Sequence, residues 1–87
     1  MPKYFEHAQV ITDADLLKYP EDIAVDNNGT IYSGLSDGTL VKINSTGSIE
    51  TLYKFNNTNG IYGIIITKDD KTLYFVTELK GLIKFDI

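Results

Sequence analysis

A stretch of this chain occurs twice within it, and that duplication limits the folds open to it. Ile23-Ala24-Val25-Asp26 returns as Ile64-Ile65-Ile66-Thr67, and Thr30-Ile31-Tyr32 returns as Thr72-Leu73-Tyr74. Gly38 falls on Gly81, and Leu40-Val41-Lys42-Ile43-Asn44 falls on Leu82-Ile83-Lys84-Phe85-Asp86, at an offset of 41 to 43 residues. A period of this length built from several short strands marks the blades of a β-propeller, units that cannot bury their apolar faces singly.

Each copy reads as β throughout. Residues 22–26 form a short apolar run that ends at Asn27-Asn28-Gly29, where Asn and Gly allow the positive φ a tight reversal requires. Residues 30–35 follow as a strand of residues suited to a pleated surface, and Ser36-Asp37-Gly38 turns the chain into 39–44. Ser45-Thr46-Gly47 then leads to 48–55, completing a four-stranded meander with its innermost strand first. The second copy offers 64–67, a Lys68-Asp69-Asp70-Lys71 turn, 72–77 and 81–86, and no fourth strand.

The fold class expected is therefore all-β: one unit over 1–87 made of two four-stranded antiparallel propeller blades, at 20–55 and 61–87. The order is permuted, with residues 8–12 as the outer strand that completes the last blade. Ile64-Ile65-Ile66 reads as a strand buried on both faces, which two blades alone cannot provide. Two arrangements would provide it. Three copies could close a six-bladed ring as a homotrimer, or the chain could be a piece of a longer propeller.

Charge and composition exclude several function classes. Twelve acidic residues against eight Lys and no Arg give a net charge of −4, with the lysines dispersed, which argues against a nucleic-acid partner. Lack of Arg also removes the planar fork that grips phosphate bidentately. There is no Cys for a thiol nucleophile or a thiolate metal site. No stretch approaches the ~20 apolar residues of a membrane span, and the N-terminal residues do not resemble a signal peptide, so a soluble chain is expected. The single His, His7, lies in the N-terminal arm, which makes a Ser-His hydrolytic triad a poor expectation.

Pro20-Glu21-Asp22-Ile23-Ala24-Val25-Asp26, Gly29-Thr30-Ile31-Tyr32-Ser33-Gly34-Leu35 and Asp37-Gly38 resemble the first full blade of strictosidine synthase-like propellers, a group related to the gluconolactonases and arylesterases. Gly63-Ile64, Leu73-Tyr74 and Lys80-Gly81-Leu82-Ile83-Lys84-Phe85-Asp86 continue the resemblance, which departs from the family pattern at Val76-Thr77-Glu78-Leu79 and Asn59-Gly60-Ile61-Tyr62. It implies a six-bladed ring with a calcium ion in the central channel, held in part by Glu21 immediately before the inner strand. It makes Asp22 a second candidate ligand, although capping of the strand explains that residue as well. Tyr62 would stand at the matching place in the second blade, as a substrate-facing aromatic wall or as ordinary packing.

Calcium takes six to eight oxygen ligands, so further donors would have to come from other blades. The activity implied is metal-dependent hydrolysis of a small-molecule lactone or ester, in which a bound cation polarises the carbonyl and stabilises the oxyanion. The competing expectation is a catalytically silent scaffold or ligand-binding module. Asn27, Asn28, Asp37 and Asp70 are accounted for by turn geometry alone.

Overall fold

The computed structural model describes residues 17, 20–55, 60–78 and 80–87; the strand expected at 8–12 lies outside them. The described residues form seven strands: β1 (Pro20–Val25), β2 (Ile31–Leu35), β3 (Thr39–Ile43), β4 (Ile49–Lys54), β5 (Ile61–Ile66), β6 (Thr72–Thr77) and β7 (Gly81–Asp86). They build two antiparallel sheets, a four-stranded β1-β2-β3-β4 meander and a three-stranded β5-β6-β7 meander, with no helix among the described residues. The all-β expectation is met. Both inner strands start earlier than expected, β1 at Pro20 and β5 at Ile61.

The duplication in sequence is a duplication in register. Ala24 pairs with Tyr32 and Tyr32 with Lys42; in the second sheet Ile65 pairs with Tyr74 and Tyr74 with Lys84. Val25, Ile31 and Ile43 form a cross-strand row matched by Ile66, Leu73 and Phe85. The glycines that correspond, Gly38 and Gly81, both sit at positive φ, 89° and 78°, where a side chain would strain the turn into the third strand.

Polar side chains hold the first hairpin of each sheet. Asp26 Oδ1 accepts the backbone N–H groups of Asn28 and Thr30 at 2.9 Å each, and Gly29 adopts φ 83° to complete the reversal. In the second sheet Thr67 takes the place of Asp26. Its hydroxyl donates to Asp69 Oδ1 at 2.6 Å and accepts the N–H of Thr72 at 3.2 Å, while Asp70 assumes φ 62°.

The sheets stack with inner strand beside inner strand, β1 against β5, and β5 also reaches β2. Between them lies a core of Ala24, Tyr32, Leu40, Ile61, Ile64, Leu73 and Phe75, flanked by Leu52, Phe55, Ile66, Ile83 and Phe85. Strand alternation explains the selection: Ala24, Tyr32 and Leu40 share the face of the first sheet that meets the second. Away from the inner strands the seam is closed by rings, with Phe55 edge-on to Phe75 at 5.4 Å and Tyr53 6.3 Å from Phe85. Edge-on contacts of this kind add to area burial because ring edges and faces carry opposite partial charge.

The run Ile64-Ile65-Ile66 is not buried on both faces within one chain. Ile64 is 4% exposed, whereas Ile65, pointing to the opposite face, is 64% exposed. Among the described residues only one face of the second sheet has a sheet packed on it, and alternation turns Ile65 to the other face.

Candidate functional site

The residues singled out from the sequence lie near the starts of the inner strands, Glu21 and Asp22 on β1 and Tyr62 on β5, and the structure does not bring Tyr62 onto the face that Asp22 takes. Each inner strand carries a register shift there, between Pro20 and Asp22 in β1 and between Tyr62 and Ile64 in β5. Such bulges re-aim side chains and recur beside functional sites. Gly63 makes the second possible by adopting φ 60°. Glu21 lies inside β1, at its shift, rather than ahead of the strand as its position after Pro20 suggested.

Asp22 ties the two sheets together. Its Oδ1 accepts the N–H of Ile23 at 2.8 Å and its Oδ2 accepts the N–H of Ile64, in the neighbouring sheet, at 3.2 Å. The Asp22 carbonyl receives the Ser33 hydroxyl at 2.9 Å, and Ser33 is fully buried. One carboxylate thus serves equivalent backbone donors in both repeats, Ile23 directly and Ile64 across the seam. A charged acceptor makes such bonds stronger than neutral ones.

Tyr62 pairs with Val76 and lies on the face of the second sheet turned away from the first. It is 38% exposed. The far end of its ring crosses Gly60: a methyl group there would meet Tyr62 Cζ, Tyr62 Oη and the Ser36 carbonyl, each at 3.1 Å. Gly60, at φ 126°, is thereby held to glycine on both steric and conformational grounds.

The site also depends on residues that reading the sequence did not single out. Gly34 on β2 lies directly under Ile61, so the sheets approach closely where the inner strands begin. Its repeat counterpart is Val76, and a Gly replacing a β-branched residue within a strand was the available signal for a close approach. At the other end of the inner strands Asn27 bridges the two hairpins. Its backbone N–H donates to Asp70 Oδ2 at 3.1 Å, and its side-chain amide donates to Asp70 Oδ1 at 3.2 Å and to the Lys68 carbonyl at 3.0 Å. Both residues had been assigned to their own turns, because nothing in a turn's composition shows that it faces another turn 43 positions away.

A calcium shell does not assemble from these residues. Among the described residues no group of three or more His, Cys, Asp or Glu side chains could hold a metal ion. Both oxygens of Asp22 already accept backbone N–H groups. Most of the six to eight donors calcium requires would have to come from elsewhere.

Like-ordered antiparallel meanders, stacked inner strand on inner strand, are consistent with the blades of a propeller-type repeat protein. Within that class, residues 6–43 match the family model described as Strictosidine synthase-like, N-terminal, which bears out the resemblance over the stretch containing Glu21, Asp22 and Gly34. No curated protein matches the chain. No helix among the described residues is long and apolar enough to cross a membrane.

Proposed function

We propose that the chain is a two-blade module of a β-propeller, with blades at 20–55 and 61–87, and that it supplies one sector of a central ligand site completed by further blades. The observation that carries this reading is the junction of β1 and β5. Two inner strands lie side by side, carry matching bulges and are joined by the carboxylate of Asp22. In a closed ring those bulges line the mouth of the channel, with the side chains they re-aim nearest the axis. Three copies of the chain supply six blades, with residues 8–12 of each as the outer strand of a second blade.

The chemistry proposed for the completed site is hydrolysis of a small-molecule lactone or aryl ester with calcium as cofactor. Glu21 supplies one metal ligand from each module, and Asp22, engaged with the backbone, is held to a supporting place. Tyr62 gives the site an aromatic wall. The second reading, a silent scaffold or small-ligand module, is favoured by the engagement of both Asp22 oxygens and by the lack of a multi-carboxylate cluster among the described residues.

Two measurements on the purified chain discriminate between these readings. Calorimetric titration with calcium and hydrolysis of phenyl acetate and δ-valerolactone are to be followed in wild type and in Glu21→Gln. Calcium binding with turnover, both lost in the variant, supports the hydrolase. Turnover unchanged by the substitution removes Glu21 from the metal, and saturable ligand uptake without turnover leaves the binding module.

A further inference from the structure

The second sheet turns an apolar face outward, and the repeat identifies what fits it. In the first sheet the face formed by Ala24, Tyr32 and Leu40 is buried against the second sheet, at 9%, 3% and 0% exposure. The corresponding residues of the second sheet are Ile65, Tyr74 and Leu82, of which Ile65 is 64% and Leu82 72% exposed. The inverse holds on the other side of the molecule. Ile64 and Ile66 of β5 pack into the seam, whereas their counterparts on β1, Ile23 and Val25, are 52% and 50% exposed on the face away from the second sheet.

We propose that the outward face of the second sheet, Ile65, Tyr74 and Leu82, docks β1 of a second copy of this chain through Ile23 and Val25. The proposal rests on the reading of the chain as a propeller module. The occupant is a second copy because the chain carries both halves of the match. The seam between its two sheets is the template, and the two faces are that template's sides shifted by one repeat. One is exposed at Ile65 and Leu82, the other along β1 at Ile23 and Val25, while Val41 and Ile43 further across the latter face are 2% exposed each.

Backbone polarity agrees with this docking. Within the seam the N–H of Ile64 is preceded by Gly63, which has no side-chain acceptor, and it is met by Asp22 of the neighbouring sheet. At the proposed junction the corresponding N–H is that of Ile23, already met by its own Asp22 at 2.8 Å. Gly63 therefore leaves no buried donor unpaired when it takes the place Asp22 holds in the seam. The interface is heterologous, each copy giving a different face to each neighbour.

Sedimentation velocity with circular dichroism tests the proposal on wild type, Leu82→Glu and Ile23→Glu. Each substitution places a charge at an exposed position and blocks one of the two faces. We expect wild type to assemble and each variant to sediment as a folded monomer, its self-association weakened at least ~100-fold, as for central interface residues. Mixed one to one, the variants should form a heterodimer that grows no further, because each retains the face the other has lost.

Variants that assemble like wild type, or a mixture that stays monomeric, overturn this docking while leaving the module reading intact. A folded wild-type chain that stays monomeric at all concentrations overturns both. If either Glu variant loses its β spectrum, Ile65→Thr and Val25→Thr block the same two faces with less perturbation and are judged by the same mixing result.

Discussion

Replacing Gly34 by Ala probes the closeness of the two sheets with one carbon atom. A methyl group built on Gly34 overlaps Cβ and Cγ2 of Ile61 and lies 3.2 Å from the Ile61 carbonyl oxygen. These atoms cannot step aside cheaply. Cβ and Cγ2 sit at the branch point of the side chain, Ile61 is 1% exposed, and its strand is paired to β6. Relief requires the sheets to separate locally, along the seam where Asp22 reaches Ile64. Overpacking of a well-packed interior costs about 1–3 kcal/mol, which lowers the folded-to-unfolded ratio by roughly 5- to 150-fold. The assay is urea unfolding followed by circular dichroism at several protein concentrations, so that any contribution from association is separated from folding. Ile61→Ala alone should destabilise by leaving a cavity. In the double variant the two effects should be less than additive, because removing Cγ2 removes part of the overlap. A Gly34→Ala protein within ~0.5 kcal/mol of wild type, the usual range for harmless surface changes, would refute the close approach.

Asp22→Ala should destabilise by about 1–2 kcal/mol, since two backbone donors lose a charged acceptor, with Asp22→Asn intermediate; paired urea curves check the order. Asn27→Ala and Asp70→Ala should each cost about 1 kcal/mol, and a double-mutant cycle should return a coupling of at least ~0.5 kcal/mol. In acid, the Asp37 carboxyl is held below its ordinary range, first by its hydrogen bond from Thr39 and then with help from Lys54. A depressed folded pKa gives stability that is present above about pH 4 and lost as pH falls through the folded value. Asp37→Asn should therefore flatten the acid limb of a midpoint-versus-pH plot. In alkali, burial first and the nearby Asp26 second raise the Tyr32 phenol. That stability is present below about pH 10 and lost above it, so Tyr32→Phe should unfold less steeply at high pH.

The repeat made much of this architecture legible. β6 and β7 were bounded correctly, because Asp70 and Gly81 at their turns and the run of β-prone residues between are local signals. The starts of β1 and β5 were placed too late. Gly63 sits inside a strand as the residue that lets a bulge form, and Pro20 opens one, neither of which the run of apolar residues at 23–25 or 64–66 shows. Of the candidate site residues, sequence located Glu21, Asp22 and Tyr62 along the chain without showing what Asp22 bonds to or which face Tyr62 takes.

Taken alone, the amino-acid order determined the internal repeat and the strand alternation, because these rest on periodicity and turn chemistry that act over a few residues, and it carried the family resemblance over residues 6–43. Only the tertiary structure decided that Asp22 and Asn27 span two repeats, that Gly34 admits Ile61, and that Ile65 is wet while Ala24 is dry. Those outcomes depend on which sheet lies against which face, a choice made by packing between segments some 40 residues apart, and residues with the same place in the repeat meet different neighbours on either side of one seam.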